Sequence, residues 1–182
     1  MSDPYTIRLA GPADAAALVE LGRAVGTEPG GWLITTSDWR TAGEERRYLK
    51  ALRRYADAAV YVAESAEAEL VGRLSLARDT HPASAHVADL GLMVAKGHRG
   101  RGVGTALLEQ AVAWVREAGV RKLELHVFPW NEPALALYDH FGFVREGLRH
   151  GHYRRDSEDV DAILMALRIG EAGRPMPAGP RD

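Results

Sequence analysis

Between residues 96 and 104 the chain reads Lys-Gly-His-Arg-Gly-Arg-Gly-Val-Gly, with glycines at 100, 102 and 104 and arginines at 99 and 101. Glycine lets a backbone approach a ligand closely and turn its amides outward. Val103, Leu107, Ala111 and Val115 follow at helical spacing, so this loop opens a helix. A helix N-terminus carries partial positive charge, and the two guanidinium groups add full charges. The combination suits a diphosphate. Two common phosphate loops do not fit. In G-x-G-x-x-G the third glycine position falls on Thr105 or Leu107, and a P-loop counted from Gly97 has Val103 where lysine is required.

Candidates for proton transfer stand on alternating stretches. Asp89 lies in His86–Val94, while Glu124 and His126 share one face of Lys122–Phe128. His86, three residues before Asp89, faces the opposite side of a regular strand unless a bulge intervenes. His150 and His152 alternate, but no carboxylate stands at ligand spacing, so no metal is expected. Arg145, Arg149, Arg154 and Arg155 interleave with Glu146, Asp156 and Glu158, a pattern for a solvated hairpin.

These residues need elements to hold them. Tyr5–Leu9 reads as a strand, Asp14–Val25 and Arg40–Tyr55 as helices, and Ala59–Glu64, Leu70–Ala77 and His86–Val94 as strands. Val103–Ala118 is a helix stopped by Gly119. Lys122–Phe128 is a strand, Pro133–Phe141 a short helix closed by Gly142, and Phe143–Glu146 and Val160–Arg168 the closing strands. The order β-α-α-β-β-β-α-β-α-β-β predicts one mixed α/β sheet. Residues 1–169 are expected to form one domain. Residues 170–182, with three prolines and no apolar periodicity, are expected to be a frayed tail.

Composition narrows the function classes. Of 182 residues, 46% are apolar and 26% charged, which is ordinary for a globular protein. Lys and Arg number 23 against 25 Asp and Glu, a net charge of −2 without the basic excess of a nucleic-acid binder. The absence of cysteine excludes a disulfide framework, a thiolate metal site and a cysteine nucleophile, and fits a reducing cytoplasm. The start has no basic stretch before an apolar core, and an apolar run such as Ala162–Leu167 is far too short for a bilayer. No membrane or nucleic-acid partner is expected.

Arg99-x-x-Gly102-x-Gly104 resembles the acetyl-CoA pyrophosphate loop of the GCN5-related N-acetyltransferases (GNAT). The later segment Asn131-Glu-Pro-Ala-Leu-Ala-Leu-Tyr138-Asp-His-Phe-Gly142-Phe143 resembles that family's second signature, N-x-x-A-x-x-L-Y-x-x-x-G-F. The likeness runs from Tyr5 to Arg168. His86-Val-Ala-Asp89 and the ending Val160–Ala166 are most similar to the group that acetylates free amino acids and small amines.

The resemblance implies a single-domain, mostly antiparallel sheet flanked by helices, with acetyl-CoA as cosubstrate and no metal. It implies that Arg99, Gly100, Arg101, Gly102, Val103, Gly104 and Thr105 hold the diphosphate. An amide near Met93 or Val94 then bonds the thioester oxygen where the fourth and fifth strands splay, and Asn131 bonds the pantetheine arm. Tyr138 lies close to the sulfur, and a phenol of pKa about 10 can give its proton to a thiolate of similar basicity. Asp89 is the first candidate for the base, with Glu124 and His126 behind it. Trp32, Trp39, Tyr48 and Tyr153 are candidates to wall the acceptor, with His86 and His126 beside them. Three activities remain open: acetylation of a small primary amine, acetylation of a protein N-terminus or lysine, and non-catalytic sensing of acyl-CoA. A homodimer through sheet edges or late strands is also implied, with the apolar strand Ala162–Leu167 as its basis.

Overall fold

The computed structural model describes residues 5–34 and 40–170. Trp39 and residues 171–182, on which two of the expectations fall, lie outside them. The elements are β1 (Tyr5–Leu9), α1 (Ala15–Gly26), α2 (Ala42–Leu52), β2 (Ala58–Ser65), β3 (Leu70–Arg78), β4 (Val87–Val94), α3 (Val103–Ala118), β5 (Lys122–Val127), α4 (Glu132–Phe141), β6 (Val144–Arg155) and β7 (Glu158–Arg168). Their order is the predicted one, and the fold class is the predicted mixed, mostly antiparallel α/β arrangement.

One compact unit comprises the chain through Ala77 together with Leu90–Ala111. Here β1 pairs antiparallel with β2, and β2 with β3. On α1, Ala15, Leu18, Val19, Gly22 and Val25 are buried, the stripe expected of a helix laid on a sheet. Ala15 and Leu18 pack with Leu49 of α2 and Val60 and Val62 of β2. A capping box starts α2: the Thr41 hydroxyl accepts from the Glu44 amide at 3.3 Å, and Glu44 accepts from the Thr41 amide at 2.8 Å. The same helix buries Glu45 completely, and its carboxylate meets Arg73 of β3 at 3.4 Å and Arg40 at 3.3 Å. Gly72 allows α3 to sit directly on β3, since a Cβ there would lie 2.9 Å from Leu107 and 3.0 Å from Val103.

The other unit comprises Arg78–Asp89 and the chain from Val112 onward. β4 pairs parallel with β5 over Val87–Asp89, where Asp89 stands opposite Glu124. β5 pairs antiparallel with β7, and β7 with β6. Ala162, Ile163, Met165, Ala166 and Leu167 are therefore buried in a strand flanked on both sides. The apolar run of β7 is thus used inside its own unit.

The closing hairpin is longer than the sequence predicts. β6 runs to Arg155 although nearly all of it is exposed, so it has no apolar periodicity to read. Its ladder with β7 holds it instead, and it turns at Asp156 and Ser157, both with positive φ (47° and 71°) as a tight hairpin requires. The register shifts between Arg149 and Tyr153. Asp161 pins that irregularity by accepting from the Gly151 amide at 2.8 Å and from His150 Nδ1 at 3.1 Å. His150 is thus tied to a carboxylate on the neighbouring strand, and no group of three or more metal-ligating side chains occurs among the described residues. No helix among them is long and apolar enough to cross a membrane.

Candidate active site

The glycine loop is built as a cradle. After β4 a short helical turn (Lys96–His98) redirects the chain, and Gly100 and Gly102 take left-handed φ of 69° and 85°. A Cβ at either would meet no protein atom within 4 Å, so the space in front of this backbone is open. The first internal bond of α3 runs from the Ala106 amide to the Gly102 carbonyl at 2.9 Å. The amides of Val103, Gly104 and Thr105 stand in the first turn, where a helix has no internal acceptors for them. Val103 anchors this start with 1% exposure, while Arg101 is exposed and makes no ion pair among the described residues.

Arg99 behaves differently. Its Nη1 and Nη2 donate to the two oxygens of Glu28 at 2.7 and 2.6 Å, and its Nε donates to the Val94 carbonyl at 2.9 Å. The guanidinium expected to face a diphosphate faces a carboxylate of the loop after α1. Sequence reasoning missed Glu28, because a single glutamate past a helix end carries no signal. Met93 is buried against Leu21 and Val25. The ladder with β5 stops at Asp89, so Leu90–Val94 lie outside it.

In the other unit Asp89 is exposed on β4. Partial desolvation, then the Glu124 and Asp79 carboxylates, hold its carboxyl above the ordinary range, with Arg149 opposing them. Glu124 is tied to Lys122 at 2.6 Å, and Lys122 also reaches Glu146 at 2.7 Å. His126 Nδ1 lies 2.6 Å from the Tyr153 hydroxyl, and the His152 ring stands edge-on to His126 at 5.2 Å. Desolvation first, then Arg149 and His152, keep His126 below its usual value and hence neutral at pH 7. Phe128 stacks on Trp130 at 4.5 Å and carries Arg155 over its ring at 5.4 Å. The irregularity in β6 sets His152 and Tyr153 beside His126, a placement that no sequence spacing encodes.

Tyr138 is buried, 5.5 Å from the Phe143 ring, and its hydroxyl has no hydrogen-bond partner among the described residues. Burial alone pushes its phenol well above the usual value. Asn131 caps α4, its Oδ1 accepting from the Ala134 amide at 3.3 Å. His86 precedes β4 in an exposed turn, and its carbonyl accepts from Arg121 and Lys122. Tyr48 lies under the Arg40 guanidinium at 4.2 Å, which gives it a packing role.

Known proteins share this fold. Over 104 residues the chain is 36% identical to the L-amino acid N-acetyltransferase AaaT of Escherichia coli (strain K12), covering 55% of this chain and 62% of that protein. The match thus spans about three fifths of that relative's length. The crystal structure of an acetyltransferase of the GNAT family from Streptococcus pneumoniae superposes with a TM-score of 0.82 and 28% identity, covering 91% of this chain and 99% of that one. A GNAT superfamily phosphinothricin acetyltransferase from Sinorhizobium meliloti, solved in complex with AcCoA, shares the fold with a TM-score of 0.80, 19% identity and coverage of 95% and 94%. Residues 31–143, from the loop after α1 through the glycine cradle to the end of α4, match the Acetyltransferase (GNAT) family, and the chain belongs to it.

Proposed function

We propose that the chain transfers an acetyl group from acetyl-CoA to the primary amine of a free amino acid or similar small molecule, by direct attack in a ternary complex. The cradle of residues 100–105 carries this reading. Its left-handed glycines leave open space, its helix-start amides face no internal acceptor, and Arg101 adds an exposed cation. These donors fit the diphosphate of acetyl-CoA. The small acceptor is supported by the E. coli relative, named for L-amino acids, and by the Sinorhizobium neighbour, named for phosphinothricin.

When bound, acetyl-CoA supplies an acyl carbon already activated as a thioester. The reaction forms an N–C bond and breaks a C–S bond, while the ammonium loses two protons and the departing sulfur gains one. Asp89 takes one from the attacking ammonium, directly or through water. A carboxyl held above its ordinary range, chiefly by desolvation, is a stronger base than a free surface aspartate. An amide near Met93 or Val94 is assigned to the acyl oxygen, and one such donor is worth about 2.7–4 kcal/mol in other enzymes. Tyr138 Oη gives a proton to the departing sulfur and regains one from the nitrogen, which sheds its second proton as the amide forms, while the proton on Asp89 passes to solvent. Burial keeps this phenol protonated until a strong base forms beside it. Asn131 is assigned to the pantetheine arm, and Trp32, His126 and Tyr153 to the acceptor.

Thiol release from acetyl-CoA, followed over a panel of free amino acids, small amines and peptides, tests the proposal. Turnover with at least one small amine, faster than with any peptide, is expected. Preference for a peptide N-terminus or lysine would make the chain a protein acetyltransferase. Binding without release above background would make it an acyl-CoA sensor.

A further inference from the structure

The carboxylate of Glu28 gathers three donors from two separate loops. Arg99, 71 positions away, grips both of its oxygens at 2.7 and 2.6 Å, and Trp32 Nε1 donates to the same carboxylate at 3.0 Å. The Glu28 side chain is 13% exposed and that of Arg99 31%, so the pair is sheltered rather than splayed into solvent. Bidentate guanidinium–carboxylate pairs fix orientation as well as contributing energy. The third donor of Arg99, Nε, is held by the Val94 carbonyl at 2.9 Å, which ties the pair to the end of β4.

The loop bearing Glu28 is shaped for this. Gly31 has φ of 59°, and a Cβ on Gly30 would fall 2.1 Å from the Trp32 ring, so the indole lies directly over backbone that only glycine provides. Leu33 then packs with Ala95 on the cluster of Leu21, Val25 and Met93. The segment is thus fastened twice, by an apolar plug and by the ion pair. Arg101, two residues from Arg99, is exposed and makes no ion pair among the described residues. The two arginines of one motif hold different positions and face different partners.

We infer that Arg99 is a positioning residue that latches the Glu28–Leu33 loop to the cofactor cradle, so that filling the cradle orders the loop carrying Trp32 and raises affinity for the acceptor. This rests on the reading above, in which the cradle takes acetyl-CoA and Trp32 meets the acceptor. Arg99 shares a backbone with Gly100 and Gly102, so a ligand that stiffens the cradle also stiffens the guanidinium, and Glu28 transmits the change. Coupling between two sites is reciprocal and is commonly about 5–150-fold.

Glu28→Gln keeps the shape of the side chain and removes its charge, and hydrogen exchange reads the result. In the wild type, acetyl-CoA should slow exchange at amides 28–34 and 96–102. In Glu28→Gln it should slow only 96–102. The acceptor KM of Glu28→Gln and of Arg99→Gln should rise about 5-fold or more with the Kd for acetyl-CoA little changed, and the double variant should be no worse than either single one. The exchanged pair, Glu28→Arg with Arg99→Glu, should recover part of the loss, which mere loosening of the fold would not allow. Equal protection of 28–34 in wild type and Glu28→Gln overturns the latch. So does an Arg99→Gln variant that loses acetyl-CoA affinity while Glu28→Gln keeps the wild-type acceptor KM, since Arg99 would then be a diphosphate ligand. No protection of 96–102 in either protein would mean that the cradle does not bind acetyl-CoA, and the inference would fall with that reading.

Discussion

At the scale of single residues, Asp89 carries a liability that suggests use. Its carboxyl lies above its unfolded value, so ionising it opposes folding, and stability falls as pH rises through the raised value. Asp89→Asn removes that cost wherever the carboxyl is ionised. Asp89→Asn should therefore keep or raise the melting temperature while lowering kcat/KM about 100-fold near pH 7. The loss should shrink at higher pH, where the acceptor amine is already neutral. Parallel pH–rate profiles with a lower melting point would assign Asp89 to structure and move the base to His126, since Glu124 is committed to Lys122. Tyr138→Phe deletes a hydroxyl with no hydrogen-bond partner among the described residues, so stability should hold. If that hydroxyl protonates the sulfur, kcat should fall about 100-fold with the KM for acetyl-CoA nearly unchanged, as stopped-flow thiol release will show. The glycine loop was legible because its glycines and arginines sit together in a short window ahead of a helix. Glu28, His152 and the pairing of His126 with Tyr153 were not, because tertiary contacts across tens of residues bring them together.

At the scale of elements, the buried Glu45–Arg73 pair joins α2 to β3. Desolvation pulls the Arg73 guanidinium below its usual value, and Glu45 chiefly opposes that shift. Breaking a buried pair of this kind commonly costs about 3–5 kcal/mol. Glu45→Gln should lower the urea midpoint accordingly, and adding Arg73→Met should restore much of it. A midpoint unchanged in Glu45→Gln would mean that the Glu45–Arg73 pair contributes no net stability. The helical period predicts α2 but gives no warning that a glutamate points inward, since Glu45 reads as one more polar residue in a charged segment. β6 shows the converse. Its exposed, arginine-rich sequence carries no strand signal, and hydrogen bonding to β7 alone makes it a strand.

At the scale of the whole molecule, oligomeric state follows from which surface is left over. β7 is consumed between β5 and β6, and β6 presents Arg145, Arg149 and Arg154 along an exposed strand. Charged side chains on an edge strand oppose edge-to-edge pairing. Light scattering at micromolar concentration should therefore give the chain mass of 19.8 kDa. Twice that mass would place a dimer on some other face.

The sequence by itself determined the order of the elements, the fold class and the glycine loop ahead of α3. Those depend on local periodicity, on glycine's access to positive φ and on charge beside a helix start, all of which a short window contains. The tertiary structure alone decided how the motif's two arginines divide. Arg99 and Arg101 are equivalent as letters, but the fold brings Glu28 within 2.6 Å of one and leaves the other exposed. It also decided which polar residues on β4 and β5 are committed and which are available. Lys122 holds Glu124, while Asp89, opposite it in the parallel ladder, keeps an ionisable carboxyl with no hydrogen bond among the described residues. Partner choice between side chains distant in sequence is a matter of register and packing, and no spacing rule along the chain carries it.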